Sequence, residues 1–205
     1  MRKYFGAKTW LYPMPVLIIA SYDKNGTVDA MNAAWGGIGD YEQISMCLSK
    51  GHKTVKNILE RKAFTVSVAT AKYVKECDYL GLVSANDNPD KFAKTGFTVT
   101  HSARVNAPVI NELPFAIECE LIDYDSETGT MRGRIVNVSA DESVLTDGKI
   151  DVQKLAPITF DSANNAYVVL GQTVAKRSKT ACLLNNKTTV FARCDFSIAA
   201  SQKSK

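Results

Sequence analysis

"PVLIIASYDKNGTVDAMNAAW", Pro15 to Trp35, is two strands and the turn between them. The first run, "PVLIIASY" (Pro15 to Tyr22), is short and rich in β-branched residues, and it stops at "DKNG". Asn25-Gly26 is a strong hairpin signal, because both residue types tolerate the backbone angles of a tight turn. The apolar pattern resumes at "TVDAMNAAW", so the two runs pair antiparallel.

The same signature recurs along the chain. "QISMCLS" (Gln43 to Ser49) and "FTVSVA" (Phe64 to Ala69) read as strands. In the latter, Phe64, Val66 and Val68 share one face and Thr65, Ser67 and Ala69 the other. "PFAIECELIDYD" (Pro114 to Asp125) alternates, with Phe115, Ile117, Cys119 and Leu121 on one side and Glu118 and Glu120 on the other. "ETG" then turns into "TMRGRIVNVSA", a second hairpin. "PITFD" and "AYVVLG" add two short strands after a short helix, "DVQKLA".

Helices are few. "TVKNILERK" carries Val55, Ile58 and Leu59 at helical spacing. "YVKECDYLGL" predicts a second helix. "NPDKFAKTG" predicts a third, with Asn88 as N-cap, Pro89 at the first helical position and Gly96 at the stop. Strands in hairpins, rather than alternating with helices, point to a mainly β antiparallel barrel or sandwich.

The chain has 205 residues, 45% hydrophobic and 22% charged, which suits a single globular domain over 1–205, with 173–205 a less periodic C-terminal extension. The net charge of +4 is mild and its 25 Lys and Arg are dispersed, which argues against nucleic acid. No run approaches the roughly 18 apolar residues of a membrane span, and none of signal-peptide length follows "MRKYFGAKTW". The expected location is cytoplasmic. Five cysteines without a CxxC pair, and two histidines, leave neither a disulfide framework nor a metal centre. Cys47 and Cys119 fall inside apolar strand patterns and read as buried thiols.

"CLSKGHKTVKNILERK" (Cys47 to Lys62) packs Ser49, Lys50, His52, Lys53 and Thr54 into a strand-to-helix turn. A helix start exposes unpaired N–H groups and partial positive charge, so it attracts anions. Thr54 stands at the expected N-cap. A solvated turn capped by threonine is the alternative. "ANDNPDKFAKTG" places Lys91 in the first turn of its helix, where a cation opposes the dipole unless something negative lies near; a plain surface lysine is the alternative. Two such starts could converge on one phosphate. "WGGIGD" (Trp35 to Asp40) lacks dinucleotide-loop spacing and reads as a flexible loop. Glu118 and Glu120 read as solvated surface. No nucleophile–base arrangement stands out, so no catalytic side chain is assigned and a cofactor is expected to carry any chemistry.

Taken in order, "YPMPVLIIASYDKNGTVDAMNAAW", "CLSKGHKTVKNI", "YLGLVSANDNPDKFAKTGF", "NELPFAIECEL" and "APITFDSANNAYVVLG" resemble the flavin reductase-like, FMN-binding split-barrel family, and within it the flavoredoxin branch. The resemblance runs from Pro13 to Gly171. It implies a Greek-key antiparallel split β-barrel with a few inserted helices, usually a homodimer with FMN near the subunit interface. It matches His52-Lys53-Thr54 to a basic residue, any residue, then Thr, and Lys91 to a second phosphate ligand. Members often carry Arg where this chain has His52, which makes phosphate affinity here more dependent on pH. The resemblance further implies cofactor contacts from Asn32, Ala33, Ala34, Trp35 and Phe160, and from Ser49, Lys50, Asn57 and Ser84. The implied activity is an NAD(P)H-dependent flavin reductase. The alternatives are a flavoredoxin-type electron carrier reduced by a redox protein, or an FMN-binding protein without turnover.

Overall fold

The structure is a computed structural model that describes residues 1–175. Met1–Leu170 form one compact unit. From residue 176 onward the expected C-terminal extension lies outside the described residues.

The elements run β1 (Leu17–Tyr22), β2 (Val28–Ala33), β3 (Gly36–Asp40), β4 (Gln43–Cys47), α1 (Lys53–Arg61), β5 (Ala63–Val68), α2 (Val74–Leu82) and α3 (Lys91–Lys94). Then follow β6 (Val99–His101), β7 (Pro108–Ile110), β8 (Phe115–Asp125), β9 (Thr130–Ala140), β10 (Leu145–Thr146), β11 (Lys149–Ile150), α4 (Val152–Leu155), β12 (Ile158–Asp161) and β13 (Ala166–Val169). Seven strands make one antiparallel sheet in the order β2-β1-β5-β8-β9-β4-β3.

Both ends of that order belong to one stretch of chain. The edge strands β2 and β3 are joined only by Ala34 and Trp35, and the Trp35 carbonyl accepts the Cys47 N–H at 2.8 Å. A sheet whose two edges lie that close in sequence has to curl. Its inner face accordingly gathers one cluster from strands all along the order: Leu17, Ile19, Met31, Ile44, Met46, Phe64, Val66, Cys119 and Met131. Val55 and Ile58 of α1 join the same cluster. The sequence expectation of a mainly β, Greek-key antiparallel split barrel with a few helices stands, at 41% strand and 18% helix among the described residues.

The opposite face of β1 is buried as well. Val16, Ile18 and Ala20 pack with Cys77 and Leu80 of α2 and with Phe92 and Phe97. Burial on both faces explains why β1 is continuously apolar instead of alternating. The first hairpin pairs Leu17 with Ala33 through Tyr22 with Val28. Its turn is longer than a two-residue Asn-Gly loop. The Asp23 carboxylate accepts the Asn25 and Thr27 N–H groups, and Gly26 alone takes a positive φ, +84°.

Three local expectations are corrected. "WGGIGD" is not a flexible loop: Gly36–Asp40 is an edge strand in register with β4. A Cβ on Gly36 would lie 2.8 Å from Met46 Cγ and 3.0 Å from Leu17 Cδ1, so the glycine serves close packing. Glu118 is buried, not solvated, because the connection between β6 and β7 that carries Ser102 covers its face of β8. Its carboxylate accepts the Ser102 hydroxyl and Asn137 Nδ2. Cys47, at the end of β4, is exposed, while Cys119 is buried as expected.

Candidate functional site

Helix α1 begins without a side-chain cap. His52 is the N-cap residue, in extended conformation at φ −66° and ψ 137°, and makes no capping hydrogen bond. No acidic residue stands in the first turn. The first N–H groups of the helix therefore keep their donors and the dipole its positive end. These donors face a cavity of about 130 Å³ lined by His52, Lys53 and Thr54 on one side and by Leu80 to Ala85 and Lys91 on the other, with Met31 and Asn32 completing the wall.

The expected Thr54 N-cap is thus displaced by two residues. Thr54 lies inside the first turn, buried, and its hydroxyl donates to Asp29 Oδ2 at 2.6 Å. Its hydroxyl proton is committed, so its contribution to an anion is its backbone N–H.

Lys91 opens a helix of only four residues, shorter than the sequence suggested, with Asp90 and not Asn88 as its N-cap. Gly96 ends it in the left-handed region, φ +73°, as expected. The Lys91 side chain leaves its own helix. Only 3% exposed, it donates to the Leu80 and Val83 carbonyls at 3.2 and 3.0 Å, capping the C-terminal end of α2. Its Nζ lies 3.8 Å from Asp29 Oδ1, an oxygen with no hydrogen-bond partner among the described residues. Of the two expected helix starts, α1 brings its N-terminus to the cavity and α3 brings a buried ammonium.

Asp29 is the residue that the sequence reading missed. It shares the inner phase of β2 with Met31, and a carboxylate in phase with a core methionine was the available signal. Burial raises its carboxyl pKa, against the pull of the Thr54 hydroxyl and of Lys91 and Lys53. Burial likewise lowers Lys91, with Asp29 opposing. Both partners move toward neutrality because desolvation outweighs an attraction acting without a direct hydrogen bond. His52 is lowered by burial and then by the nearby Lys91 charge, with Asp29 opposing.

A second, wider cleft of about 490 Å³ opens beside Ala34 and Trp35. Trp10, Leu11, Met14 and Pro15 form one wall, and Met46 and Cys47 another. The end of β2 links the two spaces, with Asn32 lining the small cavity and Ala34 and Trp35 the cleft. Asn32 is anchored by donating to the Cys77 carbonyl at 3.1 Å.

The structure thus gathers Asn32, His52, Thr54, Ser84 and Lys91 at one cavity, and Ala34 and Trp35 at the adjoining cleft. Ala33 packs on the inner cluster. Ser49 and Lys50 are exposed in the turn before α1, outside both linings, and the Ser49 carbonyl accepts the His52 N–H. Asn57 is buried in α1 away from the cavity, and Phe160 packs against Tyr167 and the outer cluster. Among the described residues no group of His, Cys, Asp and Glu could hold a metal ion.

The donor set fits a ligand with a phosphate at one end and a flat apolar ring at the other. Uncapped helix N–H groups, a buried ammonium and two further basic side chains meet in a phosphate-sized cavity. The cleft beside it is walled by indole, aliphatic and thioether surface.

The family model of the flavin reductase like domain matches residues 9–157. Flavoredoxin of Desulfovibrio vulgaris (Miyazaki F) has a similar structure at TM-score 0.83 and 37% identity, covering 88% of this chain and 100% of that one. A flavoredoxin from Methanosarcina acetivorans matches at TM-score 0.80 and 25% identity, over 90% of this chain and 99% of that one. A protein of uncharacterised role from Aeropyrum pernix is 29% identical over 116 residues; the match spans 55% of this chain and 43% of that protein's length. With a domain match over most of its length and a curled seven-stranded sheet to carry it, the chain belongs to the flavin reductase like family.

Proposed function

We propose that the protein is an FMN-binding flavoprotein oxidoreductase that takes a hydride from NADH or NADPH. The observation that carries this reading is the uncapped start of α1 facing a phosphate-sized cavity, one strand end away from an apolar cleft. The redox chemistry belongs to the cofactor. The chain's own residues bind and orient. The α1 N–H groups with His52 and Lys53 take the phosphate, Lys91 supplies buried positive charge behind it, and Trp35 and Ala34 set the plane of the ring. No acid or base is required for hydride transfer.

A second reading, an electron carrier reduced by a redox protein, is favoured by the 37% identity to a flavoredoxin. A homodimer fits either reading. Among the described residues the outer edge of β3 is unpaired, and Trp35, Ile38 and Tyr41 are exposed along it.

An anaerobic absorption spectrum of the FMN-loaded protein separates the readings. Bleaching on addition of NADH or NADPH alone supports the reductase. Bleaching only with a reduced ferredoxin-type donor supports the carrier. Bleaching by neither reduces the protein to an FMN binder.

A further inference from the structure

The two walls of the phosphate cavity are tied together just outside its lining. Asn86 follows Ala85 on one wall, and its Nδ2 donates to the Gly51 carbonyl, one residue before His52 on the other, at 3.0 Å. Its Oδ1 accepts Lys56 Nζ from the second turn of α1 at 3.2 Å. Ser84 Oγ, itself in the lining, accepts both the Asn86 backbone N–H and Nδ2 at 3.2 Å. One exposed amide thus joins the α2–α3 loop to the turn and to the helix. Behind the cavity the way is closed by the buried set Thr54, Asp29 and Lys91.

We infer that Asn86 is a clasp that makes this cavity a dead end, selecting a terminal phosphomonoester (FMN) over a bridging pyrophosphate (FAD). The inference rests on the flavin reading of the site. A ligand entering from the Trp35 cleft past Asn32 places its phosphate among the α1 N–H groups. A monoester ends there, and about 130 Å³ holds that group and little more. A flavin dinucleotide must lead a second phosphate and an adenosine out on the far side, between Ala85 and His52. The Asn86 side chain spans that gap, and its bonds have to break before the longer ligand passes. Asn86 is not a catalytic residue; it acts on the ligand by holding two walls at a fixed separation.

The test is a set of fluorescence titrations of the cofactor-free full chain with FMN, FAD and riboflavin, for wild type and Asn86→Ala. The wild type is expected to bind FMN at least about tenfold tighter than FAD, the equivalent of one or two neutral hydrogen bonds. Asn86→Ala is expected to tighten FAD and so narrow that ratio, with riboflavin unchanged. FMN binding by the variant doubles as the control for folding. Equal FMN and FAD affinities in the wild type, or an unchanged ratio in Asn86→Ala, overturns the clasp while leaving FMN binding intact. Loss of all three ligands in Asn86→Ala shows a structural role and also overturns it. A wild type that binds neither FMN nor riboflavin overturns the flavin reading, and the clasp with it.

Discussion

The Thr54 hydroxyl donates to Asp29 Oδ2 at 2.6 Å, inside the barrel and not toward the cavity. The bond satisfies one oxygen of a carboxylate whose other oxygen has no hydrogen-bond partner among the described residues. Thr54→Val preserves shape and removes the donor. It is expected to lower stability by about 1–3 kcal/mol, the penalty for a buried polar group left unpaired. Urea denaturation reads this out; an unchanged midpoint and slope would show that the bond is not formed.

Asp29 also sets a pH dependence. Burial raises its carboxyl pKa, so the folded protein keeps this proton at pH values where the unfolded chain has released it. The resulting stability is complete below the ordinary carboxylate range and is lost as pH rises through the raised value. Asp29→Asn keeps an acceptor for Thr54 and drops the charge. Its stability should lack that decline across the same window, as followed by thermal melts from acidic to neutral pH. A wild-type curve already flat there contradicts the assignment.

Lys91 is the second buried charge. Lys91→Met strips the Leu80 and Val83 carbonyls of a donor and leaves Asp29 without its cation. Removing one member of a buried pair destabilises by about 3–5 kcal/mol, a melting temperature lower by at least about 6 °C in a chain of this size. Lys62→Ala, at the far end of α1, serves as the control for both stability and FMN preference. Equal melts for the two variants would remove Lys91 from the account.

His52 is pushed toward its neutral form by burial and by Lys91. A bound phosphate favours the cation, so FMN affinity should fall as pH rises through the imidazole range. The second ionisation of the phosphate, near about 6, works in the opposite direction and is common to every variant. Titrations of wild type and His52→Ala across this range isolate the histidine. The variant should lose the decline; parallel curves would rule His52 out of the phosphate site.

The hairpins and both longer helices were legible because turn chemistry and apolar period agree there: Asp23 to Gly26 between β1 and β2, and Val55 and Ile58 in α1. The curl of the sheet was not legible from any one strand. It follows from β2 and β3 occupying opposite edges while only Ala34 and Trp35 separate them. His52 and Lys91 were found from local charge at expected helix starts. Asp29 was not, since its partners Thr54 and Lys91 come from two other elements. Asn86 escaped for the same reason: its bonds to Gly51 and Lys56 are long-range and carry no local pattern.

The measurement that bears most directly on the central claim is a pair of titrations of the cofactor-free protein, one with FMN and one with riboflavin. The two ligands share the ring and differ in the phosphate, so the ratio of their affinities reports the cavity at the start of α1 alone. Hydrogen bonds to a charged group contribute roughly 1.5–3 kcal/mol each, so one such contact gives about 10- to 150-fold. The account predicts that FMN binds tighter than riboflavin by at least the lower of these factors. Equal affinities for FMN and riboflavin would contradict it and leave the turn before α1 as solvated surface.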